Sequence, residues 1–263
     1  MTTVQQPTSE KLATVVRRLT DEVRRIAEEE GVSYPELFEG LLFLNEVGAA
    51  GEMVLLSDVL GVSTHLERLD AAGQPGTASN VEGPFWRPGA PRYPSPAVLA
   101  GPEEPGEPLV LSGTVTDAAT GAPLPAATID IWQTDAGGHY DHEDPALPDW
   151  HLRGVVVADG AGRYEVRLVK PLAYQVPTSG PVGRLLAAVG RHPWRPAHTH
   201  LKVSAPGYPT LTTMAYYAGD PWLHDDTIGS VKPDLVLDPV RGPDGVWRCT
   251  FDISLPASDA THR

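Results

Sequence analysis

Arg163-Tyr-Glu-Val-Arg-Leu-Val169 sets Tyr164, Val166 and Leu168 at every second position, with Arg163, Glu165 and Arg167 between them. Successive side chains of a β-strand point to opposite faces, so this stretch reads as a strand with one apolar and one charged face. The same character recurs on either side of it, at residues 109–117, 127–133, 152–157, 198–204, 211–217 and 246–253, between turn-forming residues. In the last of these, Trp247, Cys249, Phe251 and Ile253 share a face. That makes Cys249, the single cysteine, a small core residue rather than a nucleophile. Seven or more short strands separated by turn signals predict a mainly β protein, an antiparallel β-sandwich.

Residues 9–72 have a different period. Leu12, Val15, Leu19, Val23 and Ile26 recur every three or four residues with charged residues between them, the pattern of an amphipathic helix. Ser9 is a candidate N-cap and Gly31 a candidate stop. Ser33, with Pro35 and Glu36 just inside, opens a second helix through Leu37, Phe38, Leu41, Leu42 and Leu44 to about Val47. Two more helices are expected at 52–60 and 64–71, all of them short. Residues 73–108 are rich in proline and glycine and read as a long ordered loop. The chain therefore divides into an N-terminal helical segment, residues 1–75, and a β-sandwich domain, residues 76–263.

Composition narrows the classes of function. The chain has 263 residues, with 34 acidic against 20 basic and a net charge of −14, so it repels nucleic-acid phosphates and anionic membranes. Hydrophobic residues make up 41%, enough for a packed core. No apolar run approaches the roughly 20 residues of a membrane span. The first residues lack a basic start followed by an apolar stretch, so no secretory signal is expected. One cysteine leaves no internal disulfide and no cysteine-rich zinc site, and the expected compartment is the cytoplasm.

The strongest local feature is Arg195-Pro-Ala-His198-Thr-His200. Histidines two apart on a strand project from one face, where both imidazoles can meet one metal ion. Two polar side chains on a solvent face would give the same spacing. Carboxylates are abundant, so on counting alone a His/His/carboxylate site for iron(II) or zinc is also open. Tyr140, in Gly137-Gly-His-Tyr140, and Tyr174, in Pro171-Leu-Ala-Tyr174, follow strand ends, where sites are often assembled on loops. Aromatic packing with a hydrogen-bonded hydroxyl is the plain alternative for both.

These residues sit in stretches that resemble the intradiol ring-cleavage dioxygenases, non-haem iron(III) enzymes that open catechol-type rings between two hydroxylated carbons. The stretches are Asn80-Val-Glu-Gly-Pro-Phe85, Ala126-Ala-Thr-Ile-Asp-Ile-Trp-Gln-Thr-Asp135, Gly137-Gly-His-Tyr140, Leu152-Arg-Gly154, Gly162-Arg-Tyr164, Gly180-Pro-Val-Gly-Arg-Leu-Leu186, Gly190-Arg-His-Pro-Trp-Arg-Pro-Ala-His-Thr-His200 and Ser204-Ala-Pro-Gly-Tyr-Pro-Thr-Leu-Thr-Thr213. The resemblance spans about residues 40–237. It implies an Fe(3+) centre held by Tyr140, Tyr174, His198 and His200. Iron(III) is a hard ion that favours anionic oxygen, in keeping with two phenolates. The resemblance also implies that Tyr174 leaves the metal when the deprotonated ring binds, and that Arg195 stabilises negative charge developing on the ring. Both atoms of O2 enter the ring-opened diacid.

Leu55-Leu-Ser-Asp58 looks like the hydroxyquinol branch of the family. An aspartate there can accept a hydrogen bond from the third hydroxyl of 1,2,4-trihydroxybenzene, which catechol lacks. A simple helix-surface residue is the plain alternative for Asp58. The resemblance implies a substrate pocket of Leu55, Asp58, Gly83, Pro84, Val176, Pro177 and Arg195. Catechol and chlorocatechol are the alternative substrates. An inactive sandwich-fold binding protein and a His-x-His zinc hydrolase are the alternatives from other classes. Glu82 and Met214 depart from the family pattern. His139, His142 and His151 read as solvated loop histidines. In relatives the N-terminal helices form a dimer interface that can hold lipid, so the resemblance implies a homodimer.

Overall fold

Leu12, Val15, Leu19, Val23 and Ile26 fall on one face of α1 (Ser9–Glu30) in the computed structural model, which describes residues 9–142 and 145–257. At 22 residues α1 matches the span expected between Ser9 and Gly31, except that Ser9 already lies inside it. It ends at Gly31, whose φ of +66° suits a residue without a Cβ. Its apolar stripe stays exposed, and none of its residues is buried. Ser33 caps α2 (Tyr34–Ala49) as read from the sequence. The Glu36 amide donates to Ser33 Oγ at 3.4 Å, and the Ser33 amide donates to the Glu36 carboxylate at 2.8 Å. The described residues up to Gly51 form one packing unit and those from Glu52 onward the other.

The second unit opens with α3 (Met53–Val59) and α4 (Val62–Ala71). Although grouped with the N-terminal helices by sequence, both are tied to the sheet-bearing unit. Arg68 donates to the Gly229 carbonyl at 2.8 Å, and Lys232 pairs with Glu67 at 2.7 Å.

The strands of the described residues are β1 (Arg92–Pro94), β2 (Ala97–Val98), β3 (Pro108–Asp117), β4 (Thr128–Gln133), β5 (Arg153–Val157), β6 (Arg163–Val169), β7 (Tyr174–Gln175), β8 (Trp194–Arg195), β9 (His198–Ser204), β10 (Leu211–Tyr217), β11 (Val236–Leu237), β12 (Val240–Arg241), β13 (Trp247–Thr250) and β14 (Ile253–Leu255). One sheet has the order β1-β5-β4-β9-β10-β11. The other has the order β12-β13-β3-β6-β2, with β14 also on β3, and β7 pairs with β8 alone. The central ladders β5-β4-β9-β10 and β3-β6 are antiparallel, whereas β1, β2, β11, β13 and β14 add in parallel. Two of these, β1 and β2, come from the stretch read as loop. The strand expected at 246–253 is broken between β13 and β14. There the Phe251 amide donates to Ser112 O, and the Thr114 amide donates to the Asp252 carboxylate at 2.9 Å. Gly113 lies opposite, where a Cβ would come within 2.1 Å of Phe251 O.

A helix missed by sequence, α5 (Pro181–Ala188), lies between β7 and β8. Gly180 and Pro181 start it, and Val182 and Leu186 turn inward.

The alternation read from residues 163–169 holds. Tyr164, Val166 and Leu168 are buried while Arg163, Glu165 and Arg167 are exposed. They share the sandwich core with Leu109, Leu111, Ile129, Ile131, Val156, Leu201 and Val203. A buried polar link crosses this core. Thr199 Oγ1 donates to Gln133 Oε1 at 2.8 Å and lies 2.7 Å from the Tyr217 hydroxyl, and Gln133 Nε2 donates to Val169 O at 2.8 Å. Each member finds a partner, as burial of polar groups requires.

Cys249 is buried on the inner face, and burial pushes its thiol up to about 12. A thiol this protonated and enclosed reacts little as a nucleophile. The folded protein should therefore leave Cys249 unreacted with a thiol-specific disulfide reagent at pH 8. One equivalent should react once denaturant is added, and rapid labelling of the native state would contradict this packing.

Candidate metal centre

Alternation along β9 sends Thr199, Leu201 and Val203 into the sandwich core and His198, His200 and Lys202 to the opposite face. That face is also covered, and both histidines are buried. Their neighbours follow from register. Trp132 on β4 and Met214 on β10 flank His200, and Tyr216 on β10 lies beside His198. Trp132 stacks flat on His200, with ring centroids 4.6 Å apart and planes 8° apart.

The two tyrosines arrive from different directions. Beyond β4, the Asp135 carboxylate accepts from the amides of Gly137 at 2.8 Å and His139 at 2.9 Å, folding a tight loop. Gly138, at φ +82°, completes the turn, and Tyr140 is carried back under the sheet. Tyr174 lies on β7 directly across from Arg195 on β8. The Tyr140 and Tyr174 rings meet edge to face at 5.7 Å, and Phe85 packs on Tyr140 at 4.7 Å. The four side chains and Arg195 singled out from sequence thus come together, in the second packing unit alone.

His198 Nδ1 lies 2.7 Å from the Pro196 carbonyl, which only accepts, so that nitrogen carries the proton. Its Nε2 lone pair faces His200 Nε2 at 3.1 Å. Burial and then the charge of Arg195 depress His198 to about 3. Burial, His198 and Arg195 hold His200 well below its ordinary range. Both imidazoles are therefore neutral at pH 7, the form that ligates a metal. Burial first, and then Tyr174, lift the Tyr140 phenol well above its usual value. Such a phenol ionises only beside a strong positive charge. Among the described residues no group of three His, Cys, Asp or Glu side chains is placed to hold a metal ion. The His/His/carboxylate completion is thereby removed, and with it the main support for a zinc hydrolase. Two imidazole nitrogens and two phenol oxygens fit a hard trivalent cation such as iron(III).

Arg195 is buried, and its guanidinium has a partner on every nitrogen. Nε donates to Asp226 at 3.2 Å and Nη2 to Ser230 Oγ at 2.8 Å, while Nη1 lies 3.4 Å from the Tyr174 hydroxyl and 3.2 Å from His198 Nε2. Burial works against the charge of Arg195, but Asp226 and the phenols of Tyr174 and Tyr216 keep it firmly protonated. Burial would likewise lift Asp226, yet Arg195 and Ser230 outweigh it and hold the carboxyl below its usual range. Met214 gives a weak acceptor to Arg195 Nη2 at 3.8 Å and to the Tyr216 hydroxyl at 3.1 Å. Asn80 Nδ2 donates to Ser230 O at 2.9 Å. Asp226, Ser230, Tyr216 and Asn80 were not picked out by sequence reasoning. The first two lie in Asp225-Asp226-Thr-Ile-Gly-Ser230, which looks like a solvated acidic turn.

Leu55, Asp58, Gly83, Pro84 and Val176 line one cleft with Tyr174, Arg195 and His200. Phe85 and Ile228, not anticipated, complete it. Pro177 is half-buried and does not line it. The helix-surface reading of Asp58 fails, since that residue is 3% exposed. Both ends of α3, which carries Leu55 and Asp58, are held. The Glu52 carboxylate accepts from the Val182 amide at 2.9 Å, and Arg191 Nη1 donates to Val59 O at 2.6 Å. A Cβ on Gly180 would overlap the Glu52 carboxylate, so a larger residue there would push that carboxylate off the Val182 amide. Glu82, a departure from the family pattern, finds a partner in Lys202, whose ammonium lies 3.7 Å over the Trp86 ring. His139 is exposed, and His142 packs partly on Phe85. His151 is not solvated as expected, because it lies 3.1 Å from Glu104 and is largely covered.

Asp58 is raised above its ordinary value by burial, which outweighs Ser63 and the charge of Arg195. The native protein therefore keeps a proton on Asp58 at pH values where the unfolded chain has lost it. Stability falls as pH rises from the ordinary carboxyl range through the raised native value. Asp58→Asn removes this loss. Thermal unfolding should show the variant more stable than the parent at pH 7, with the gain vanishing below about pH 4. A gain that grows on acidification would contradict the assignment.

Comparison with known proteins points the same way. A sequence profile described as "Dioxygenase" matches residues 81–257, and one described as "Catechol dioxygenase N terminus" matches residues 9–77. The chain is 39% identical over 254 residues to a 6-chlorohydroxyquinol 1,2-dioxygenase of Cupriavidus pinatubonensis, covering 94% of this chain and 90% of the relative. It is 39% identical over 236 residues to a hydroxyquinol 1,2-dioxygenase of a Rhizobium species, covering 87% and 78%. Among solved structures, a 3-chlorocatechol 1,2-dioxygenase of Rhodococcus opacus superposes with a TM-score of 0.90 at 33% identity, covering 95% of this chain and all of that one.

Proposed function

Since the chain belongs to the intradiol ring-cleavage dioxygenases, an enzyme family acting on hydroxyquinol, catechol or chlorocatechol, we propose that its substrate is hydroxyquinol, 1,2,4-trihydroxybenzene. The carbon–carbon bond between two adjacent hydroxylated carbons breaks. The two atoms of O2 end in the diacid product, 3-hydroxy-cis,cis-muconate or its keto form maleylacetate. Tyr140, Tyr174, His198 and His200 would hold Fe(3+). When bound, it supplies a hard Lewis acid for the two vicinal oxygens of the ring.

The surrounding residues do the rest. Tyr174 has its oxygen at the cleft and can take a proton there from an incoming ring hydroxyl. Arg195 is a fixed cation beside it, so negative charge gathering on the ring is met without reorganisation. Phe85, Leu55, Val176 and Ile228 keep water from the ring.

The observation that carries hydroxyquinol over catechol is Asp58, buried on the cleft wall with Tyr174 and Arg195. The third hydroxyl can donate to this carboxyl, a hydrogen bond that catechol cannot make. Two relatives whose names carry hydroxyquinol or chlorohydroxyquinol support the same reading. The exposed apolar stripe of α1 supports a homodimer, checked by sedimentation at twice the chain mass.

Steady-state kinetics test the substrate. The wild type should prefer hydroxyquinol to catechol in kcat/KM, and Asp58→Leu should lower that ratio about 100-fold, mostly by losing hydroxyquinol activity. Equal turnover of both rings by the wild type, or an unchanged ratio in Asp58→Leu, would remove Asp58 from the account. Iron-loaded protein that consumes no oxygen with any of these rings would favour the inactive binding protein.

A further inference from the structure

Resting on that reading of the site, we infer that Asp226 is a positioning residue for ring opening, holding the Arg195 guanidinium so that one nitrogen faces Tyr174 and His198. A guanidinium is planar, with its five N–H bonds in a fixed fork. Asp226 takes Nε at 3.2 Å and Ser230 Oγ takes Nη2 at 2.8 Å. With those two directions set, the plane leaves Nη1 toward the Tyr174 hydroxyl at 3.4 Å and His198 Nε2 at 3.2 Å.

The holder is itself held. The second carboxylate oxygen of Asp226 accepts from the Ser230 amide at 3.0 Å and from Ser230 Oγ at 2.7 Å. Ser230 has one hydroxyl proton and gives it to Asp226, so its oxygen accepts from Arg195, with the Tyr216 hydroxyl 2.7 Å away on the same oxygen. The loop between the two residues is fastened to β8, because the Thr227 amide donates to Trp194 O at 3.1 Å. Arg191 Nη2 donates to the Thr227 carbonyl from the other side. The Asp226 side chain is almost fully buried and does not line the cleft, so it reaches the substrate through what it holds, chiefly the Arg195 guanidinium and more weakly the Ile228 amide, 3.4 Å away on the cleft wall.

The test compares iron-loaded wild type, Asp226→Asn, Arg195→Lys and the double variant by visible spectrum, anaerobic hydroxyquinol titration and kcat. Asparagine keeps the shape but loses the charge and the second acceptor oxygen. Asp226→Asn should keep the visible band and bind hydroxyquinol within about threefold of wild type, while kcat falls about 100-fold. Added to Arg195→Lys, it should cost less than about threefold more, because the group it positions is already gone. An unchanged kcat in Asp226→Asn, or losses that multiply in the double variant, would overturn the inference. Should Asp226→Asn not fold, Ser230→Ala replaces it, with an expected loss of about tenfold in kcat. A wild-type kcat in Ser230→Ala would then overturn the inference. A wild type that opens no ring defeats the functional reading instead. The crystal structure of Asp226→Asn then decides the positioning separately. A guanidinium turned from Tyr174 supports it, and one left in place overturns it.

Discussion

Strand β9 has to be buried on both faces, and most of the site follows from that constraint. A strand shows alternate residues to opposite sides, so a single register sends Thr199, Leu201 and Val203 into the sandwich and His198 and His200 away from it. A slip of one residue would put imidazoles in the apolar core and leucine beside Tyr140 and Tyr174. The antiparallel neighbours lock that register. Trp132 and Met214 lie beside His200, and Tyr216 lies beside His198. On the core side, Gln133, Thr199 and Tyr217 close a polar link that another register would break.

The second face carries groups that burial disfavours. Neutral histidines, a phenol held above its normal range, a raised Asp58 and the Arg195–Asp226 pair all sit where solvation is poor. A buried ion pair costs desolvation that only good geometry and further hydrogen bonds offset. Here Ser230 supplies those bonds to both partners. Arg153 is treated similarly. It lies over the Tyr140 ring and is held by Asp141 and the Phe85 carbonyl. The face is thus rigid and electrically poised before any substrate arrives, at an expense in stability that the sandwich core carries.

How much of this could be read from sequence depends on the range of each signal. Strand 163–169 was legible because its alternation is local, and the Ser33–Glu36 capping box was legible for the same reason. His198 and His200 were legible as a pair, but their completion by Tyr140 and Tyr174, rather than by carboxylates, rested on family resemblance. Asp58 was tied to the cleft by resemblance alone, and its burial was not predictable from a seven-residue helix. Asp226 was missed because it lies 31 residues from Arg195 in an acidic turn, and nothing local marks it as buried. Strands of two or three residues, such as β2 and β11, carry no period to detect. Their parallel pairing is set by where long connections return. Helix α5 did have its signals, Gly180 and Pro181, but eight residues gave them little weight.

The central claim is that two tyrosines and two histidines on this face hold iron(III), and the visible absorption of the iron-loaded protein tests it most directly. Phenolate bound to ferric iron should give a broad visible band and a red-brown protein. Tyr140→Phe, still binding iron, should change that band because one of its two phenolates is gone. An iron(III)-loaded protein without colour, or a band indifferent to both Tyr140→Phe and Tyr174→Phe, would contradict the account.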